Sequence, residues 1–280
     1  MARRTTLVDI GRIVAASTPL VMVTAYDFPS ARLAEEAGVD LILVGDSMGT
    51  TVFGEADTLG VTLDDIIRHA GVVVHATTRP LIVGDLPFMT YQESAEQALR
   101  SAGRLMQEAR VQAVKLEGGR RSSEQIRRLT EAGVPVMGHI GFTPQSVYEL
   151  GGFRVQGRGS AADTLMEDAL AVQDAGAFAL VLEMVPGPIA RAVTKRLTIP
   201  TIGIGAGPET SGQVLVFHDL VGLTLGRQPR FARRFADAAG VIREGLRAYA
   251  AEVRAGTYPG PGETFPDDDA DGAAAGHGES

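Results

Sequence analysis

The sequence has no cysteine among its 280 residues. That absence removes disulfides, thiolate metal sites and a thiol nucleophile together, and it is compatible with a reducing, cytosolic setting. Tryptophan is missing too, and aromatic residues amount to 5%, which argues against a β-sandwich with an aromatic core. Long apolar runs are lacking: no window approaches the roughly 18 uncharged apolar residues of a membrane helix. The opening MARRTTLVDIGRIVAAS carries basic residues without the continuous apolar stretch of a signal peptide. No basic stripe suits nucleic acid. The expectation is a soluble, cytoplasmic protein that engages neither membrane nor nucleic acid.

What is present is a chain 45% apolar with 34 glycines, suited to a core of Val, Ile, Leu and Ala joined by tight turns. The net charge of −8 is less telling than it looks. Of the 34 acids, six lie in the tail GETFPDDDADGAAAGHGES, so the remaining 28 face 26 bases and the body is nearly neutral. The Gly/Ala/Asp-rich composition beyond residue 258 predicts a disordered, solvated end. Residues 1–258 are expected to form a single domain with a short N-terminal extension.

Within that domain one pattern repeats. β-Branched runs predict strands at 19–27, 40–46, 80–85, 112–119, 134–141, 178–184, 199–207 and 213–219. Between them lie helix candidates such as PSARLAEEAG, TLDDIIRHAGVVVHAT, SAEQALRSAGRLMQEAR and SSEQIRRLTEAG, several opening on Ser, Thr or Pro and closing on Gly. Alternation of strand and helix implies parallel pairing with helices outside. Eight such units are the number that closes a (β/α)8 TIM barrel, an α/β fold. An open doubly wound sheet is the rival, but no G-x-G-x-x-G follows the first strand to support it.

Four of these strands carry an acid at their C-terminal end: Asp46 in LILVGD, Asp85 in PLIVGD, Glu117 in AVKLEGG and Glu183 in FALVLEM. A lone acid after a strand is ordinary turn or cap chemistry. In a barrel, however, strand C-termini surround one mouth, where active sites lie. Carboxylates crowded there need a cation or a shared proton. With no cysteine and only His139 plausibly nearby, the donor set is hard oxygen and favours Mg²⁺. Lys115 stands two residues before Glu117 and so shares its strand face; it could be half of a structural ion pair or could neutralise an anionic substrate. His139 is weaker evidence, since a lone histidine on an apolar strand is more often a satisfied core residue than a catalyst. GIGAGPETSG could be a phosphate cradle or merely a tight turn.

These segments also carry a resemblance. VTAYD, VGDSMG, DLPFM, VKLEGG, GHIGFTPQS, GGFRVQGR, VLEMVP, IGIGAG and GQVLVFHD, in unbroken order, resemble the ketopantoate hydroxymethyltransferase family from about residue 5 to about residue 258. The resemblance implies a barrel of the phosphoenolpyruvate/2-oxoacid type, one Mg²⁺ per subunit and a ring-like homodecamer built as a pentamer of dimers. It implies transfer of a hydroxymethyl group from 5,10-methylenetetrahydrofolate to 3-methyl-2-oxobutanoate. Carried over by position, it makes Asp46, Asp85 and Glu117 metal ligands, Asp46, Ser47, Asp85 and Lys115 substrate contacts, and Glu183 the proton acceptor on the opposite part of the mouth. An accessory role for His139 stays open. Gly60 and Ser211 depart from the family's usual residues, away from the acids. The same acids would serve another Mg²⁺-dependent 2-oxoacid lyase or aldolase of this barrel type, and Lys115 would serve a Schiff-base aldolase.

Overall fold

The computed structural model describes residues 3–226 and 228–265; of the tail beyond residue 258, expected from composition to be disordered, residues 261–263 form a single 3-10 turn (Pro261–Glu263), and 266–280 lie outside the described residues. The chain enters through α1 (Leu7–Ala15), started by a reciprocal capping box between Thr6 and Asp9. Eight parallel strands then close a barrel in sequence order. They are β1 (Leu20–Thr24), β2 (Leu41–Val44), β3 (Leu81–Asp85), β4 (Ala113–Glu117), β5 (Val136–Gly141), β6 (Ala179–Glu183), β7 (Thr201–Ile204) and β8 (Gly212–Leu215). Each falls inside or across the segment its β-branched run predicted.

Helices pack outside: α2 (Phe28–Glu36), the single turn α3 (Met48–Thr51), α4 (Leu63–Ala76), α5 (Ala95–Glu108), α6 (Ser123–Glu131), α7 (Ala161–Asp174) and α8 (Gly187–Arg196). Three of their N-termini are capped locally. Asp27 caps α2, Thr62 caps α4 and Ser94 caps α5, each side chain accepting from the backbone N–H three residues on. The unit pattern breaks once. Residues 205–211 join β7 directly to β8 with no helix between them, and α9 (Phe217–Val221) and α10 (Ala238–Ala255) follow β8. GIGAGPETSG is therefore the link itself, turned by Gly205 and Gly207 at φ +64° and +80°.

Strand periodicity divides the core in two. Leu20, Met22, Leu41, Leu43, Leu81, Val83, Met137, Val181 and Ile202 fill the barrel interior, where Ile10 of α1 joins them. The alternate residues, among them Ile42, Val44, Ile82, Val114, Leu116 and Leu180, form the layer between strands and helices. Two glycines let helices approach that outer layer. A Cβ on Gly84 would lie 2.7 Å from Leu105, and one on Gly138 would lie 2.4 Å from Val172. Above the apolar interior, the next inward positions carry Asp85, Lys115 and Glu117, then His139 and Glu183. Register confirms the row: Asp85 pairs with Lys115, Glu117 with His139, and Gly141 with Glu183.

Candidate active site at the barrel mouth

The acids at the strand ends are not helix caps. Asp85, fully buried, faces Lys115 Nζ at 3.0 Å, and Glu117 faces it at 3.5 Å. Asp46, two residues past β2, donates its backbone N–H to Asp85 Oδ2 at 3.2 Å. The structure thus brings Asp46, Asp85, Lys115 and Glu117 together from three strand ends. Ser47 follows Asp46, and its hydroxyl lies 2.7 Å from that of Tyr26. His139, 4% exposed, joins the cluster: Nδ1 is 3.3 Å from Lys115 Nζ and 3.4 Å from Glu117 Oε1. Its Nε2 is 3.2 Å from Glu183 Oε2. Glu183 is therefore linked to Glu117 through one imidazole, since β5 alone separates β4 from β6, while around the closed barrel β6 stands four strands from β2, which leads to Asp46.

Burial and mutual repulsion govern the electrostatics. Burial, then the charges of Asp85 and Glu117, hold the Asp46 carboxyl well above its usual range. Burial also raises Asp85, opposed by Lys115. For Glu117 the upward push of burial is outweighed by Lys115 and His139, and its carboxyl is lowered. Burial alone would lower Lys115, yet Asp85, Glu117 and Asp46 together raise it, so it is an ammonium. His139 is pushed up to about 9: burial and Lys115 oppose its charge, while Glu117 and Glu183 favour it. Its Nδ1 cannot both accept from Lys115 and donate to Glu117, so the ring is held between competing demands.

Asp46, Asp85 and Glu117 repel one another around a single lysine, a repulsion that a divalent cation would relieve. Asp85 Oδ1 and Glu117 Oε1 are buried without a hydrogen bond, although each lies at ion-pair distance from Lys115. Among the described residues no three acid or histidine side chains already close into a metal cage. This donor set fits Mg²⁺, which binds through one or two carboxylates and keeps several waters.

Two supporting residues carried no sequence signal as site residues. Gln145, just past β5, donates Nε2 hydrogens to Asp46 Oδ2 and Leu86 O, both at 3.0 Å, and its backbone N–H to Glu117 Oε2 at 3.1 Å. Its Oε1 receives the Tyr91 hydroxyl at 2.9 Å and Gln92 Nε2 at 3.1 Å. Tyr91 in turn accepts the Glu117 N–H at 3.1 Å. Neither residue is charged; only the fold reveals that they meet the acids.

Fold and site define a class first: a closed parallel (β/α)8 barrel with an acidic, lysine-bearing mouth at its strand C-termini. The fold is shared with 2,3-dimethylmalate lyase, described as a PEP mutase/isocitrate lyase superfamily member, at TM-score 0.58 and 17% identity over 95% of this chain and 93% of that one. It is shared also with phosphonopyruvate hydrolase, solved with oxalate and Mg²⁺, at TM-score 0.59 and 12% identity over 93% and 91%. The profile of the ketopantoate hydroxymethyltransferase family matches residues 4–261, and the chain belongs to that family. A 3-methyl-2-oxobutanoate hydroxymethyltransferase of Chloroflexus aurantiacus is 56% identical over 273 residues, covering 97% of this chain and 96% of the relative.

Proposed function

We propose that the chain transfers a hydroxymethyl group from 5,10-methylenetetrahydrofolate to 3-methyl-2-oxobutanoate, giving 2-dehydropantoate, with Mg²⁺ held by Asp46, Asp85 and Glu117. The observation that carries this reading is the convergence of those acids with Lys115, His139 and Glu183 at one mouth in a member of this family. Magnesium, one ion per subunit, would supply Lewis acidity that stabilises negative charge on the keto oxygen.

The chain's residues divide the remaining work. Lys115, buried and charged, balances the anionic head of the ketoacid, with Asp46, Ser47 and Asp85 placing it. Glu183, 14% exposed and reached by His139 at 3.2 Å, takes the proton from C3. C3 then forms its bond to the donor's methylene carbon as both carbon–nitrogen bonds of the donor break; water supplies the hydroxyl, and its remaining proton and the one held by Glu183 pass to the two folate nitrogens, leaving tetrahydrofolate. His139 holds the Glu183 carboxylate toward the centre. A Schiff base on Lys115 is disfavoured, because an ammonium 3.0 Å from Asp85 is not a nucleophile.

Among the described residues no helix is long and apolar enough to cross a membrane, in keeping with a cytoplasmic enzyme. The homodecamer that the resemblance implies finds support in α10, none of whose residues is buried. The test is an assay for 2-dehydropantoate from the ketoacid and the folate donor. Product should form with Mg²⁺ and disappear with chelator; product at the same rate under chelator, or none in either case, would refute the proposal.

A further inference from the structure

We infer that a cavity beside the acid cluster is the subsite for the pteridine ring of the one-carbon donor, an inference that rests on the function proposed above. The cavity, about 450 Å³, lies among the loops that follow β2, β3, β4 and β5, and its size is that of a small-molecule site. Glu117 and Gln145 form part of its wall, so an occupant would adjoin the ketoacid held by the same acids.

Three observations define the occupant. Gln125 of α6 lines the cavity at 9% exposure, and its Oε1 is buried with no hydrogen-bond partner. A buried amide oxygen left without a donor is costly; this one has almost no surface open to the cavity, and a turn of the Gln125 amide would bring it to an N–H of the occupant. At the rim stand Phe88 and Tyr148, 37% and 76% exposed, flat surfaces on which a planar ring can stack. The one guanidinium there, Arg121, is already engaged by Glu149 Oε2 at 2.9 Å and Ser146 Oγ at 2.6 Å. No spare cation awaits a phosphate or carboxylate. The chemistry calls for a flat, neutral heterocycle with an N–H edge, which the amino-pyrimidinone face of a reduced pterin provides. The loop carrying Tyr148 is tied over the cavity by its hydroxyl, which donates to Asp57 Oδ2 at 2.8 Å.

The test uses the full chain with Mg²⁺ and the stable reduced folate 5-formyltetrahydrofolate. Its binding is followed by calorimetry for the parent, Gln125→Leu and Tyr148→Ala, together with KM for the methylene donor in turnover. Loss of one hydrogen bond or one stacked ring should weaken folate binding and raise that KM by about three- to tenfold. Ketoacid binding should stay within about twofold of the parent. Tyr148 is exposed, so its variant reads the subsite even if Gln125→Leu folds poorly. If the parent makes 2-dehydropantoate while the variants match its folate affinity and KM, the donor binds elsewhere and the inference fails. If the parent makes no product, the proposed function fails and the inference with it.

Discussion

At the scale of single residues, Gln145 has all its amide capacity committed. Two donated hydrogens and two accepted ones tie loops after β2, β3 and β5 together, and its own N–H fixes Glu117. Such support around metal ligands typically alters metal affinity by about 10- to 100-fold. Gln145→Leu should therefore weaken Mg²⁺ or Mn²⁺ binding by about that factor in a direct titration, and kcat should largely recover at saturating metal. Unaltered metal affinity would show that Gln145 only packs. Lys115 illustrates the same logic of partners: burial alone would discharge it, and three carboxylates keep it charged.

At the scale of elements, Glu35 fastens α2 to the start of β3 at the barrel face away from the site. Its Oε1 accepts the backbone N–H groups of Thr78 at 2.8 Å and Arg79 at 2.7 Å, with Arg32 and Arg79 nearby. Burial would raise its pKa, but these bonds and Arg79 outweigh it, and the carboxyl is lowered below 4.5. A lowered folded pKa contributes stability above the unfolded value, lost as pH falls through the folded one. Glu35→Gln should cost about 1–2 kcal/mol near pH 7, and the difference should shrink below about pH 4.5 in denaturant titrations. A pH-independent difference would mean that shape, not charge, is what Glu35 provides. Elements were also where the sequence was most and least readable. The eight strands announced themselves because buried parallel strands are continuous β-branched runs, and Lys115 and Glu117 shared a face by simple alternation. The direct β7–β8 link did not show, since glycine-rich turns look alike with or without a helix behind them. Gln145 and Tyr91 did not show because an uncharged side chain reveals its partners only in three dimensions, and spacing says nothing of the His139 bridge between Glu117 and Glu183.

At the scale of the whole molecule, α10 leaves Val241, Ile242, Leu246, Tyr249 and Val253 exposed at 75%, 51%, 64%, 56% and 45%. A stripe of that kind on a helix with no buried residue suits association, and the homodecamer proposed above would cover it. Leu246→Glu should lower the assembly size measured by light scattering, with the barrel's far-ultraviolet circular dichroism retained; an unchanged mass would place the contact elsewhere. The central claim concerns the barrel mouth, read as a device for removing one proton. Its most direct measurement is exchange of the C3 hydrogen of 3-methyl-2-oxobutanoate with deuterated water, followed by NMR without folate. The parent should catalyse exchange only with Mg²⁺. Glu183→Gln should retain metal and ketoacid binding but exchange more slowly by about 10²- to 10⁴-fold, the usual contribution of a general base. Exchange at the parent rate in that variant, or exchange indifferent to Mg²⁺ in the parent, would contradict the account.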